Sequence, residues 1–253
     1  MSPKVIDDAT RDARERELLN TALDVISEIG VSNLTIEKVV AQVPYSKGTV
    51  YNHFTCKEDM LTALCNNCCR EIVELFARAS AFEGSSREKM MALGYGYLLH
   101  SLLNPTRFML VISAKTDAIR EKSTQQRIDE NTQLEAQLLE CMYGVIQGAV
   151  DAGELTLPDY MTVKEVPFTF WSTGFGTIAL LHQDVEKCGF REQLFVEHEF
   201  VNNANLILDG LGWTPNSREH DWQSCIERLK QTVFAQEVAE LARLQAAGST
   251  PSA

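Results

Sequence analysis

Val43-Pro44-Tyr45-Ser46-Lys47-Gly48-Thr49-Val50-Tyr51-Asn52-His53-Phe54 is the stretch on which the reading of this chain turns. Pro44 stops any helix running into it, because proline has no amide to donate and crowds the preceding turn. Ser46 then offers its hydroxyl to an unpaired amide of a new first turn. A helix of about two turns follows. Val50 and Phe54 stand four apart, share one face and point into a core. Tyr45, Lys47, Thr49, Tyr51, Asn52 and His53 fall on the other faces. A helix so short and polar gains little from burial. Its donors and aromatic rings suit phosphates and base edges.

The flanks read as helix too. Leu18, Leu19, Ala22, Val25, Ile26 and Ile29 recur at helical spacing, which predicts a helix from about Arg11 to Ile29 that Gly30 ends. Thr35 caps a second helix through about Gln42, and its exposed N-terminus favours an anion. Beyond the quoted stretch, Thr55-Cys56-Lys57-Glu58 has the form of a capping box, with Thr55 as N-cap and Glu58 reaching back to it. Lys57 sits in the first turn of that helix, where the dipole disfavours a cation unless a phosphate is near.

Ala22, Gly30, Thr35, Val39, Ser46, Gly48, Thr49, Tyr51, His53, Phe54, Lys57, Glu58 and Leu61 occur in an order and spacing that resembles the DNA-binding domain of the tetracycline-repressor (TetR) family of bacterial transcription regulators. The resemblance runs from about Arg14 to Leu61. Val43-Pro44 departs from it, since the family usually has a small residue and then glycine in that turn. Tyr45 replaces a smaller apolar residue. The resemblance implies a helix-turn-helix that sets the quoted helix in a major groove, and a homodimer on a palindromic double-stranded operator. It assigns phosphate contacts to Thr35, Lys47, Tyr51, His53 and Lys57. Tyr45, Ser46, Thr49 and Asn52 are left for base edges, and Gly48 for close backbone approach.

Net charge is −12 over 253 residues, which does not by itself suggest a nucleic-acid binder. The distribution matters more. Between Gln42 and Lys57 the only charged residues are Lys47 and Lys57, so a positive face lies inside an acidic chain. The seven cysteines form no regular framework, no secretory leader is visible, and no apolar run is long enough to span a bilayer. A cytoplasmic protein with no membrane contact is expected.

The remainder predicts more helices. Ser85 or Ser86 caps one that runs to about Leu103, where Asn104-Pro105 breaks it. A short helix carries Phe108, Met109 and Val111, and a polar segment follows from Lys115 to Thr124. A long helix runs from about Gln125 to Ala152. Two more are expected at about Val163 to Lys187 and Gln193 to Leu211, then a final one from Glu219 to Ala246. Strand signals are absent, so the chain is all-α. Its organisation reads as a polar arm (1–10), a helix-turn-helix domain (11–56), a connecting helix (57–82), a ligand-binding and dimerisation domain (83–213), and an extra C-terminal helix with a tail (214–253).

By the resemblance, the last two helices of the body pair between subunits, and Gly174 and Gly176 let backbones approach there. Tyr95, Phe108, Met142, Tyr143, Phe168, Trp171 and Phe175 are candidates to line a cavity for an unnamed small-molecule effector, with simple core packing as the alternative. Cys65, Cys68 and Cys69 lie inside a helix and read as small apolar fillers rather than a sensor. His100, His182, His198 and His220 have no metal-ligand spacing around them. No phosphate-cradling loop, dinucleotide fingerprint or nucleophile elbow is present, so neither catalysis, cofactor nor metal is expected. The reading is a ligand-responsive transcriptional repressor. The alternative is a helical receptor for a ligand or partner, with a degenerate DNA reader.

Overall fold

A computed structural model describes residues 7–182 and 189–248. Lys4 of the arm, the far end of the helix expected to reach Lys187, Cys188 and the tail after Gly248 lie outside the described residues. In chain order the helices are α1 (Asp8–Ile29), α2 (Ile36–Val40), α3 (Lys47–Tyr51), α4 (Lys57–Ser80), α5 (Ser86–Leu103), α6 (Pro105–Ala114), α7 (Asp117–Arg120), α8 (Gln125–Asp151), α9 (Val166–Leu180), α10 (Val196–Gly210), α11 (Trp222–Thr232) and α12 (Ala235–Gly248). A single 3-10 turn, Val31–Asn33, separates α1 from α2. Among the described residues the only extended pairing is an isolated bridge between Leu155 and Trp213. The fold is all-α.

The chain divides into two compact units: Met1–Cys69 with Thr106–Leu134, and Arg70–Pro105 with Glu135–Ala253. The first holds the predicted helix-turn-helix. Asp7 caps α1 by accepting from the Thr10 amide, so the helix starts three residues earlier than its apolar spacing suggests. Gly30, at φ 79°, ends it. Leu18, Leu19, Ala22, Val25 and Ile26 of α1 form one core with Ile36, Val39, Val50, Phe54, Met60, Leu61 and Leu110. Val50 is the one buried residue of α3. Burying such a side chain contributes on the order of 1.5–3 kcal/mol, so a five-residue helix is held mainly by this anchor and by Phe54 just beyond it.

The expected capping box at Thr55 does not form. The α4 ladder instead begins with the Met60 amide on the Cys56 carbonyl, and the Asp59 carboxylate takes the Thr55 amide at 3.1 Å. A carboxylate one residue further along reaches back better than Glu58, whose carboxylate holds Lys122. The polar segment after α6 contains the single turn α7.

In the second unit α5 is the central element, with Met90, Met91, Leu93, Tyr95, Leu98 and Leu99 buried. Of the two serines expected to cap it, Ser85 does so, in a capping box with Glu88 as the reciprocal partner. Gly94 allows contact with Phe170 and Phe200, since a Cβ there would stand 3.0 Å and 3.3 Å from their rings. Gly96 gives Phe234 the same closeness.

That contact explains why the single final helix expected from Glu219 to Ala246 is two. The amides of Val233 and Phe234 both return to the Leu229 carbonyl, at 3.1 and 3.0 Å. The turn drops the Phe234 ring into full burial beside Gly96 and Tyr95. Arg78 caps the break by donating to the Val233 carbonyl at 2.8 Å. Trp222, Cys225, Ile226 and Leu229 bury the inner face of α11. The extra C-terminal segment therefore packs on the helices of its own unit.

Candidate nucleic-acid interface

Ser46 caps α3 as its sequence requires, accepting from the Thr49 amide at 3.2 Å and sharing a hydrogen bond with the Thr49 hydroxyl at 2.9 Å. Thr35 caps α2 through the Lys38 amide. Thr35, Ser46, Lys47, Gly48, Tyr51 and Asn52 are exposed, and Tyr45, Thr49 and Lys57 are half-buried. These nine predicted residues leave polar groups accessible along one short helix and its flanks.

The surface is held by carboxylates that sequence reasoning did not single out. Glu37 Oε1 accepts from Lys47 Nζ at 2.9 Å and from the Tyr51 hydroxyl at 3.2 Å. The Lys47 hydrogen bond holds the Glu37 carboxyl below its ordinary value, and Glu37 in return raises the Lys47 ammonium. Tyr45 donates to Glu17 under the Arg14 guanidinium, which lies 4.9 Å from the ring centre. The hydrogen bond to Glu17 raises the Tyr45 phenol. Lys57 Nζ reaches the Ser32 carbonyl at 3.0 Å, which bridges the start of α4 to the turn before α2.

His53 is placed differently from the other nine. Its side chain is 4 % exposed, and Nδ1 lies 3.4 Å from Glu15 Oε2. Glu15 in turn takes Arg127 Nη2 at 2.6 Å, and the Arg127 guanidinium stands 5.7 Å from the Phe54 ring centre. The imidazole thus faces inward, toward α1 and the first turn of α8. A phosphate contact would need it to leave that seat.

Behind the reader is a buried polar network. Asp59 Oδ1 accepts from both the amide and the hydroxyl of Thr124 at 2.8 Å. Asn66 donates to the Arg127 carbonyl at 3.0 Å and to Glu130 at 2.9 Å, and accepts from Asn131 at 2.9 Å. Asp59 and Asn66 are both buried. Their partners lie about 65 positions away, which no local pattern could announce.

Residues 18–64 match the model of bacterial regulatory proteins of the tetR family. This segment is similar to the DNA-binding domain of that family. Solved structures extend the likeness of fold beyond it. A TetR-family regulatory protein from Rhodococcus RHA1 has a TM-score of 0.61 at 13 % identity, over 79 % of this chain and 97 % of its own. FadR from Bacillus subtilis, solved with stearoyl-CoA, gives 0.58 at 16 %, over 81 % and 99 %. SmeT, solved with triclosan, gives 0.56 at 18 %, over 78 % and 91 %. No curated protein matches the chain in sequence. The chain therefore shares the fold of these TetR-family regulators, with a helix-turn-helix at its N-terminal end.

The seven cavity candidates have different surroundings. Tyr95 is buried under Phe234 and donates to Glu197 at 3.1 Å, with burial and then Glu197 raising its phenol. Phe168, Trp171 and Phe175 form a ladder along α9, with ring centres 6.4 and 5.9 Å apart, and Phe168 is 66 % exposed. Met142 is buried and Tyr143 half-buried on α8, and Phe108 belongs to the other unit. A groove of about 600 Å³ opens elsewhere, lined by Ser80, Lys89, Cys141, Gly144, Val145 and Gly148 among others. No helix among the described residues is long and apolar enough to cross a membrane.

Proposed function

We propose that the protein is a homodimeric, sequence-specific transcriptional repressor that a small-molecule effector releases from a palindromic operator. The observation that carries this reading is the α3 surface. Its donors are exposed, its one apolar residue is anchored, and its surrounding segment matches a family of DNA readers. Thr35, Lys47, Tyr51 and Lys57 hold phosphates. Tyr45, Ser46, Thr49 and Asn52 meet base edges, and Gly48 brings the backbone close. Two-fold symmetry then sets half-sites about 34–36 Å apart or a multiple of it.

The subunits pair through α9 and α10. Phe168 and Leu206 are 66 % and 69 % exposed on these helices, as are Leu180 and, just before α10, Phe195. Large apolar side chains left in water on these two helices support pairing there. Gly174 is taken up within the subunit, where a Cβ would stand 3.0 Å from Phe200, whereas a Cβ at Gly176 would meet nothing within 4 Å among the described residues, which leaves it open to a partner helix.

The effector acts on α4 and α8, each of which runs from one unit into the other. A ligand that moves either in the body pulls on the Asp59 and Asn66 network behind the reader. It does so only by its difference in affinity for the two arrangements; reversing occupancy from 99:1 to 1:99 takes about 5.5 kcal/mol. The ligands in the FadR and SmeT structures, stearoyl-CoA and triclosan, support an effector with a large apolar part.

The test is fluorescence anisotropy of the full chain on the duplex upstream of its own reading frame, across salt concentrations. Sequence-selective binding is expected, with a salt slope that Lys47→Ala lowers by about one. Equal affinity for every duplex, or none, would reject the reading.

A further inference from the structure

Glu88, His220 and Cys225 come from the first turn of α5, the loop before α11 and α11 itself. A carboxylate oxygen, an imidazole nitrogen and the thiol sulfur of these residues lie within 4.8 Å of one another. The two carboxylate oxygens have separate duties. Oε2 accepts from the Ser85 amide at 2.8 Å and completes the α5 cap. Oε1 faces the trio, 3.2 Å from His220 Nε2 and 2.9 Å from Arg228 Nη2.

The 3.2 Å spacing has a second meaning. Bonds of about 2.0–2.1 Å in a tetrahedral site set an oxygen and a nitrogen ligand roughly 3.3 Å apart. We propose that Glu88, His220 and Cys225 bind one divalent transition-metal ion, zinc in the first instance.

The donor set selects the class of ion. One sulfur, one nitrogen and one oxygen suit zinc and its borderline neighbours, whereas magnesium and calcium call for oxygen throughout. On binding, the Cys225 thiol releases its proton to solvent, and the thiolate and Glu88 carboxylate together balance the two charges of the ion. Arg228 supplies the positive charge beside Glu88 in the structure. Its side chain is 51 % exposed, so it can swing into water as the ion enters. Three protein ligands leave a fourth position for solvent.

A further sign lies alongside. Trp222, its ring centre 4.4 Å from that of His220, keeps its indole N–H buried with no partner among the described residues. Such a donor cannot itself hold a cation, but it marks a place for a water oxygen of the kind that would fill the ion's fourth position. The ligands stand 132 residues apart in the chain between Glu88 and His220, so no spacing motif shows them. Once bound, the ion ties α11 and its preceding loop to the start of α5.

The full chain, stripped with chelator and reduced, is titrated with zinc against a chromogenic indicator, and separately with cobalt(II). One equivalent of zinc is expected, along with a near-ultraviolet thiolate-to-cobalt band. Cys225→Ser should remove the band, and His220→Gln should weaken zinc more than about tenfold while far-ultraviolet circular dichroism is unchanged. His220 is half-buried, so its loss spares the fold. Arg228→Ala should tighten zinc binding, because a competing cation is gone; a merely structural cluster would show no change. The proposal is overturned if no equivalent binds, if the band survives Cys225→Ser, or if Arg228→Ala leaves zinc affinity unaltered. None of these readouts depends on DNA binding.

Discussion

In the reader unit Lys47 meets Glu37 at 2.9 Å, with the two side chains 59 % and 57 % exposed. In the body Arg87 meets Asp209 at 2.6 Å, with the guanidinium fully buried. Arg87 also donates to the Trp213 carbonyl at 2.6 Å and to the Asn205 side chain at 3.1 Å. The two pairs have the same chemistry and opposite uses. Water competes for the first, so the pair adds little stability, and under the proposed function a phosphate would take the place of Glu37. Nothing nearby can replace Asp209 for a buried guanidinium, so the second pair fixes where α5, α10 and the segment after α10 meet. The reader keeps its cations exchangeable, and the body keeps its cation locked.

The largest effect should come from breaking the locked pair. Arg87→Ala is expected to destabilise the chain by about 3–5 kcal/mol, read as a lower urea midpoint. A loss under about 1 kcal/mol would show that the pair holds nothing. The same pair has a pH signature. Burial acts to raise the Asp209 carboxyl, but the Ser217 hydrogen bonds and Arg87 outweigh it and leave it below the ordinary value. A depressed carboxyl contributes stability above its unfolded value and loses it as pH falls through the folded one. Urea midpoints should therefore hold from neutrality to about pH 5 and fall below about pH 4.

Next in size is Asp59→Ala, which removes a carboxylate holding the Thr55 amide and both Thr124 groups. A loss of about 2 kcal/mol is expected, with faster hydrogen exchange at the Thr124 amide. If exchange there stays slow, the network does not clamp α8 to the reader. Ser85→Ala removes the α5 cap and should cost about 1 kcal/mol by thermal melting.

The smallest effect on stability belongs to the exchangeable pair. Glu37→Gln should change the urea midpoint by no more than a few tenths of a kcal/mol. Operator affinity should rise about threefold at low salt, as Lys47 no longer has to leave a carboxylate. Unchanged affinity would show that Glu37 and a phosphate do not compete for Lys47.

The reader was legible because its determinants are local. Pro44, Ser46, Val50 and Phe54 specify a turn, a cap and an inward face within eleven residues, and α3 forms as they require. Gly30 and Thr35 did the same for their helix ends. The capping box misled, because Thr55 and Glu58 match the pattern while Asp59, one residue on, has the better reach. The cavity candidates were chosen by residue type, and type does not say which face of α9 looks outward. Phe168 proved exposed for that reason.

Sequence by itself determined α2 and α3, their caps at Thr35 and Ser46, the stop at Gly30 and the exposed donors of α3, because each depends on neighbours three or four residues away. Only the tertiary structure decided that His53 faces Glu15, that Glu37 holds Lys47, and that Phe234 breaks the last helix by seating beside Gly96. It also brought Glu88 to His220 and Cys225. Such contacts join segments that lie far apart along the chain, and their energy is gained only when the whole core closes around them.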